Sequence, residues 1–513
     1  MTPRLLRSAS LALCLLAGPV FAQADGPEPL ADPVRTALGI ETDAGAMLYA
    51  QGLAASLDMR LDDARSSFRQ LAAAEPESPA GVYGLESVAL WQALVTEEDD
   101  AFDRFYALND SLTAVVDGRD EAPGARVLGG AAKLHRALAF ARQERYLRAG
   151  NSLREACGRF DDLSEHDALF GQGICEVAAG SIPRAYKFVA RLLGFRGSVA
   201  GGLAKLDAAS SADGLHALDA AVAFAISDSA LNERRAGSVD RLAALAEAHP
   251  SSPVLGYLAG FHLLVDRRAA EAVVALRRAE AARDVDGVLP LPVIDAHLGM
   301  ALFRQREFAA AAPLLEDFAR TFRGRALLAQ STLHAGLAYE MLGDRRRAES
   351  LYRRVRAVRD YDADLSAERE AAHRLENPLT ASSRALVIGG AAYDAGDYAD
   401  AIAALQPVVT GAELPAVKRA EAAYRTGRAL QATERWDDAI RHFQLAIDKP
   451  GDPLAKWGPW ALYHQGEVHE AQGDLEAAER LYDRVLDNEE EFDFHKSLEQ
   501  RARAAQERIR RRS

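Results

Sequence analysis

The sequence has few of the residues that build disulfide-rich, sheet-rich or membrane-spanning proteins. Three cysteines in 513 residues are too few for a disulfide scaffold or a cysteine-rich zinc site. Clusters of valine, isoleucine, threonine and aromatic residues are scarce, whereas alanine, the strongest helix former, is abundant. No stretch contains the roughly 18 uninterrupted apolar residues of a membrane-spanning helix. These absences predict an all-α, soluble protein.

The usual sequence motifs of catalysis and cofactor binding are also absent. There is no glycine-rich loop followed by Lys-Ser or Lys-Thr, no His-Glu-x-x-His, no calcium-binding loop and no Gly-x-Ser-x-Gly. His464 and His469 would point about 140° apart on a helix, so we expect no shared metal. The net charge of −14 gives no general attraction to nucleic-acid phosphates. We therefore expect no enzyme activity, no cofactor and no nucleic-acid partner.

The first 24 residues have the pattern of a secretory signal peptide. Arg4 and Arg7 precede an apolar stretch from Ala9 to Val20, and small residues then offer a cleavage site. Export to the periplasm is the prediction, with secretion or association with the outer membrane as alternatives. Export would leave Cys157 and Cys175 in the chain. In an oxidising compartment they could form a disulfide, or they could be two separate buried thiols.

One spacing rule recurs along most of the chain. A glycine is followed twelve positions later by alanine, and four positions after that by a large apolar or aromatic residue. Two antiparallel helices can cross closely where the small residues face each other, and the large residue would fill the layer between hairpins. Short turns such as Gly343-Asp344, Gly396-Asp397 and Gly473-Asp474 would join the helices. The rule is met at Gly52/Ala64/Phe68, Gly260/Ala272/Leu276, Gly299/Ala311/Leu315, Gly336/Ala348/Tyr352, Gly389/Ala401/Leu405, Gly427/Ala439/Phe443 and Gly466/Ala478/Tyr482, and more loosely at Ala137/Ala149/Leu153 and Gly173/Ala185/Val189.

These segments resemble tetratricopeptide (TPR) repeats of an exported bacterial protein, most clearly from Leu298 to Phe318 and from His334 to Tyr352. The resemblance implies a right-handed superhelical solenoid of antiparallel hairpins, about ten or eleven in number, closed by a C-terminal capping helix. Successive glycines are 37 to 39 residues apart, longer than the family's period of about 34.

Composition shifts divide the chain into segments. We predict a signal peptide (1–24), a flexible leader (25–43), N-terminal repeats (44–193), a Gly- and Ser-rich loose connection (194–216), central repeats (217–360), an insertion between two blocks (361–380), C-terminal repeats (381–490) and a capping helix (491–513). In the insertion, Ser366 could cap a helix that runs to Leu375. The arginines from Arg345 to Arg359 are interpreted as a solvated outer face, partly paired with Glu349 and Asp360. Docking of an acidic partner or an anionic polymer is the alternative interpretation of this run.

In proteins of this type the first helix of each hairpin lines the concave surface. Tyrosine and arginine on that surface are typical interface anchors, although the tyrosines could instead pack between helices. Tyr424 and Arg428 occupy the places where the family's carboxylate-binding Lys and Asn would stand, so chaperone-tail binding is not expected. The predicted concave binding surface comprises His297, Met300, Arg304, His334, Leu337, Tyr393, Tyr424, Arg425, Arg428, Tyr463, His464 and Glu467.

The resemblance therefore implies a non-catalytic protein–protein interaction scaffold of the bacterial envelope that binds a protein or peptide on its concave surface. An assembly factor for outer-membrane or cell-wall complexes is an alternative that would use the same surface. An α/α-type glycan-acting enzyme is a third reading. It would need inward-facing carboxylates, whereas the acidic residues here cluster in turns and on outer faces.

Overall fold

The structure, a computed structural model, describes residues 22–23, 26–27, 30–118, 123–161, 163, 166–182, 194–231, 236–358, 362–448, 456–488, 492 and 494–510. The predicted signal peptide lies outside these residues except for Ala22 and Gln23. A two-residue strand pair joins Ala22–Gln23 to Gly26–Pro27. All other regular structure in the described residues is helical, which confirms the all-α prediction.

Two compact units make up the chain. Unit 1 comprises Met1–Asp266 and Val274–Ile294, and unit 2 comprises Arg267–Val273 and Asp295–Ser513, so the division falls within two helices. Each unit is a stack of antiparallel helical hairpins, the arrangement of an all-α solenoid. Up to that division the helices are α1 (Asp32–Leu38), α2 (Asp43–Leu57), α3 (Leu61–Ala74), α4 (Ala80–Thr96), α5 (Asp99–Asp117), α6 (Pro123–Arg142), α7 (Tyr146–Phe160), α8 (His166–Gly180), α9 (Val199–Ser210), α10 (Ala217–Leu231), α11 (Ala236–Ala248), α12 (Pro253–Val265), α13 (Ala269–Arg283) and α14 (Pro292–Arg304).

The remaining helices belong to unit 2, and none of the helices in the described residues combines the length and apolar character needed to cross a membrane. They are α15 (Phe308–Thr321), α16 (Leu328–Met341), α17 (Arg345–Tyr352), α18 (Asp362–Glu376), α19 (Ala381–Ala395), α20 (Tyr398–Thr410), α21 (Ala416–Ala432), α22 (Trp436–Ile447), α23 (Trp457–Ala471), α24 (Leu475–Leu486) and α25 (His495–Arg510).

The glycine rule marks the close approach within each hairpin. A Cβ placed on any of the seven glycines would lie 2.4–2.7 Å from a carbon of the large residue sixteen positions later. The large side chain therefore sits directly on the glycine of its own hairpin. Phe68 also lies against Gly84 of the next first helix, so it fills the layer between hairpins as well. Of the looser copies, Ala185 and Val189 lie outside the described residues, and Gly173 faces Leu206 instead.

Two segments predicted to lack structure contain helices. Helix α1 lies inside the predicted flexible leader. This part of the leader is structured because Val34 and Leu38 are buried in the core of unit 1. Helix α9 lies inside the predicted loose connection. Ser198 caps it by accepting a hydrogen bond from the Gly201 amide at 3.0 Å, and Leu206 is buried. The serines and glycines that suggested a loop thus include a helix cap.

The inner face of unit 1 is filled by its own side chains. Ser252 Oγ donates to the Leu57 carbonyl at 2.8 Å, across 195 residues, and the Leu289 amide donates to the Met59 carbonyl at 2.8 Å. Between these ends the first helices bury three short polar contacts, together with a continuous apolar core. The contacts are Glu86–His135 at 2.8 Å, His216–Asp219 at 2.9 Å and Ser229–His262 at 2.8 Å.

The insertion of unit 2 is held by one buried carboxylate. Glu340 accepts hydrogen bonds from Arg345 Nη1 and Tyr352 Oη, both at 2.7 Å, and from the Leu379 amide at 3.0 Å. Arg345 also donates to the last carbonyls of α18, so it is not part of a solvated face as the sequence suggested. Helix α18 begins at Asp362, which makes the predicted cap at Ser366 wrong.

Each unit has a further link between neighbouring helices. In unit 1, Cys157 on α7 and Cys175 on α8 are joined by a disulfide, with their Cα atoms 5.7 Å apart. In unit 2, helix α25 buries Leu498 and Ile509 against the last hairpin, and Arg508 donates to both oxygens of Glu470 at 2.8 and 2.7 Å. This is the packing that a capping helix requires, since the last hairpin would otherwise expose its apolar side.

Candidate functional site

Three successive first helices of unit 2, α19, α21 and α23, contact one another and carry most of the predicted surface residues. Tyr393 lies on α19. Tyr424, Arg425 and Arg428 lie on α21, where the small residues Ala423 and Gly427 bring the hairpin together. Tyr463, His464 and Glu467 follow on α23. We call the side chains gathered around Arg428 the Arg428 cluster, which comprises Tyr393, Tyr424, Arg425, Arg428, Gln431, His464 and Glu467.

Arg428 links all three helices. Its Nε donates to Tyr393 Oη at 3.2 Å, and its Nη1 donates to His464 Nε2 at 3.0 Å. The same nitrogen lies 3.5 Å from Glu467 Oε2, to which Gln431 donates at 3.2 Å. His464 Nδ1 is 2.6 Å from Glu467 Oε2 and also contacts Arg428 Nη1, so the imidazole lies directly between the guanidinium and the carboxylate.

The environment fixes His464 as a neutral ring. Burial and the neighbouring Arg428 lower the pKa of His464 to about 4. Burial alone would raise the pKa of Glu467, but its interactions with His464 and Arg428 lower it well below the ordinary range. Glu467 is therefore charged and His464 uncharged near neutral pH. The cluster keeps the positive charge of Arg428 on the surface formed by α19, α21 and α23, which we call the first-helix surface.

Arg425, the second arginine of this cluster, has two carboxylates nearby. Its Nε donates to Glu421 at 3.2 Å, and its Nη1 lies 3.6 Å from Asp394. Lys418 also lies 3.6 Å from Glu421. Burial alone would raise the pKa of Glu421, but Lys418 and Arg425 outweigh this effect. The pKa is therefore lower than usual, and the carboxylate remains ionised. The guanidinium of Arg425 lies over the ring of Trp457 at 5.6 Å.

Residues distant in sequence complete the site. The guanidinium of Arg267 lies over the ring of Tyr393 at 4.6 Å, and Arg304 Nη1 donates to the Asp394 carbonyl at 3.4 Å. Arg306 pairs with Asp397 at 2.8 Å. Desolvation lowers the pKa of Arg304, and the nearby Arg267 adds to that effect. Turns and a helix end of unit 2 thus bring three cations, Arg267, Arg304 and Arg306, towards this surface.

Aromatic rings border the cations. Tyr424 lies 5.3 Å from Trp457 and 5.8 Å from His464, and Trp460 stacks on His464 at 5.8 Å. Tyr424, Trp457 and Trp460 are half-buried, so part of each ring is accessible. Burial raises the pKa of Tyr424 to about 12, which keeps its hydroxyl protonated. Tyrosine, tryptophan and arginine are the residues that most often anchor protein interfaces.

The other predicted residues have different surroundings. His297 and Leu337 are buried on α14 and α16, and Met300 is half-buried. His334 is half-buried; its Nδ1 is 2.8 Å from the Gln330 carbonyl oxygen, and Phe303 packs edge-on against its ring. Burial lowers the pKa of His334. Tyr463 is buried between Trp460 and Tyr482, so it packs between helices as the alternative interpretation holds.

Sequence reasoning missed Arg267, Gln431, Asp394, Trp457 and Trp460. Gln431 and Asp394 lie one turn or less from predicted residues on the same helices, and the tryptophans lie on the first turn of α23, so the helical register could have included them. Arg267 has no such signal. It lies in the turn between α12 and α13, and only folding brings it to Tyr393. The described residues contain no group of three or more metal-binding side chains.

Family models of the tetratricopeptide repeat match residues 386–453 and residues 460–489, which are the helices that carry the Arg428 cluster. No match was found among curated protein sequences. The part of the chain from residue 386 to residue 489 therefore contains tetratricopeptide repeats. These repeats support a role as a protein–protein interaction scaffold.

Solved structures give weaker likenesses. The crystal structure of the anaphase-promoting-complex hetero-tetramer Cut9–Hcn1 shares 14% identity over 89% of this chain and 96% of that one, with a TM-score of 0.23. Yeast Tom70 shares 11% over 87% of this chain and 92% of that one, with a TM-score of 0.31. The yeast Sti1 TPR2AB domain in complex with an HSP90 peptide shares 17% over 50% of this chain and 97% of that one, with a TM-score of 0.20. We draw no conclusion from likenesses at these TM-scores.

Proposed function

We propose that this protein is a non-catalytic scaffold that holds a protein partner on the first-helix surface of unit 2. The Arg428 cluster is the observation that carries the proposal. It places Arg425 and Arg428 of α21 beside the partly accessible rings of Tyr424 on the same helix and of Trp457 and Trp460 on α23. Export to the bacterial envelope is part of the proposal and rests on the pattern of the first 24 residues. An assembly factor for envelope complexes would use the same surface.

Site-specific photocrosslinking in living cells tests the proposal. A photoreactive phenylalanine analogue at Tyr424 should yield reproducible adducts with the same protein, identified by mass spectrometry. The matched control places the analogue at Arg441, whose side chain is 68% exposed on the second helix of the same hairpin. Adducts at both positions alike, or none at Tyr424, would overturn the proposal.

A double substitution separates binding from folding. We expect Tyr424→Ala with Arg428→Ala to abolish the adduct formed from a photoreactive group at Trp457, because it removes two anchors of the surface. Helix content measured by circular dichroism should stay unchanged. Loss of helix content would instead show that both side chains are structural.

A further inference from the structure

Arg425 and Arg428 lie farther from their carboxylates than Arg345 and Arg508 of unit 2 do. Arg425 lies 3.2 and 3.6 Å from its two carboxylates, and Arg428 lies 3.5 Å from Glu467. Strong guanidinium–carboxylate hydrogen bonds are about 2.7–2.9 Å long. Elsewhere in unit 2 that distance is reached: Arg345–Glu340 and Arg508–Glu470 are both 2.7 Å.

The carboxylates beside Arg425 and Arg428 also serve other groups. Glu467 makes its shortest contact with His464, at 2.6 Å, and receives Gln431 as well. Glu421 lies near Lys418, and Asp394 has 41% of its side chain exposed. Because His464 is neutral, it adds no positive charge for Glu467 to balance. The side chains of Arg425 and Arg428 are 21% and 20% exposed, so part of each can be reached by a ligand.

Arg267 extends this positive surface beyond Tyr393. Its guanidinium covers the Tyr393 ring at 4.6 Å, and its Nε is buried without a hydrogen-bond partner. Tyr393 thus lies between Arg267 on its face and Arg428 at its hydroxyl. Neither contact neutralises charge. In a chain with a net charge of −14, a partly exposed arginine surface is a local exception that selects a negatively charged ligand.

We propose that the first-helix surface of unit 2 binds an acidic segment of its protein partner, whose glutamate or aspartate side chains pair with Arg267, Arg425 and Arg428. The inference rests on the proposed function and specifies its partner. Half-buried Trp457 and Tyr424 border the arginines and would contact apolar residues within the same segment. Side-chain carboxylates, rather than a chain end, are the groups that three arginines spread over a turn and one helix can bind together.

Fluorescence anisotropy with a synthetic peptide tests the inference. The probe is a labelled peptide of alternating glutamate and leucine, acetylated and amidated so that it has no terminal charges. The full-length protein should bind it, and added salt should weaken binding because the contacts are partly exposed. The same peptide with glutamine in place of glutamate should bind at least about tenfold more weakly, the ratio that corresponds to 1.4 kcal/mol.

Charge-removing variants locate the binding site. Arg425→Gln and Arg428→Gln should each weaken binding by about three- to tenfold. Arg346→Gln removes the same charge from the exposed start of α17 and should leave binding unchanged. Equal loss in all three variants would mean a nonspecific charge effect and would overturn the inference.

Further arms exclude other ligands. Equal binding of the glutamine peptide, binding only to a peptide with a free C-terminal carboxylate, or binding only to duplex DNA or anionic vesicles would each overturn the inference. The peptide arms need no variant, so misfolding of a variant cannot mask the result. If crosslinking at Tyr424 succeeds while the acidic peptide fails to bind, the scaffold function stands and only the acidic partner is rejected.

Discussion

At the scale of single residues, His464 decides the charge state of the site. It stands between a permanent cation, Arg428, and a carboxylate, Glu467, and it bonds both only as a neutral ring. Protonation would place two positive charges side by side and remove the acceptor for Arg428. The lowered pKa of His464 therefore expresses how strongly the fold prefers the neutral form.

The stability of unit 2 should fall as the pH drops from neutral towards 4. The pKa of His464 is about 4 in the folded protein, below the value of about 6.5 in an unfolded chain, so the unfolded state binds the proton first. We expect a loss of roughly 2–3 kcal/mol over this interval. Urea unfolding of Trp91→Phe, read by tryptophan fluorescence, measures unit 2, because the other tryptophans, 436, 457 and 460, all lie there.

The matched variants make this pH dependence specific. His464→Gln should flatten the profile between neutral pH and pH 4, although glutamine can still bond Arg428 or Glu467. His469→Gln, on the same helix beside Asp474, should keep the wild-type profile. An identical profile in His464→Gln would show that another group controls the transition.

Residues of the site were predictable where a helical register could be read. The spacing from Gly427 to Phe443 placed Tyr424, Arg425 and Arg428 on one first helix, and that from Gly466 placed His464 and Glu467 on the next. Arg267 could not be found in this way. Its contact with Tyr393 depends on how hairpins that are distant in sequence stack, and no local pattern encodes that arrangement.

At the scale of helices and turns, most hairpins within the described residues share one turn conformation. Gly343, Gly396 and Gly473 have φ of 84–91°, the left-handed region that glycine tolerates best. Met59, Glu144, Arg267, Arg306 and Glu434 adopt φ of 57–65° in the corresponding turns. The Gly-Asp pattern therefore predicted three turns correctly, whereas non-glycine turns of the same conformation had no sequence signal.

Glu434 is the turn residue best suited to a test, because its side chain is exposed. A non-glycine residue in the left-handed region destabilises the fold by about 1–2 kcal/mol. Replacing it with glycine removes this strain, but the greater freedom of glycine in the unfolded chain costs about 0.5–1 kcal/mol. Glu434→Gly should therefore stabilise unit 2 by about 0.5–1 kcal/mol in urea unfolding. Glu434→Ala keeps the strain and should give no gain. A destabilised glycine variant would contradict this account.

At the scale of the whole molecule, the two units use their inner faces differently. In unit 1 the first helices bury Glu86, His135, His216 and Asp219 within a continuous core, whereas α19, α21 and α23 of unit 2 leave arginines and aromatic rings partly exposed. The repeat pattern predicted hairpins in both units. It could not predict the filled interior of unit 1, because that depends on contacts such as Ser252 with Leu57, which join residues far apart in the sequence.

Ser252 should therefore stabilise a turn 195 residues away. It caps α12 through the Leu255 amide and donates to the Leu57 carbonyl just before the turn between α2 and α3. In Ser252→Ala this buried carbonyl loses its donor, at a cost of about 1–3 kcal/mol. Hydrogen–deuterium exchange should accelerate in peptides covering residues 57–61 as well as 253–257. Ser198→Ala removes the cap of α9 and should accelerate exchange only near residues 198–202. Unchanged exchange at residues 57–61 in Ser252→Ala would show that the long-range hydrogen bond contributes nothing to closing unit 1.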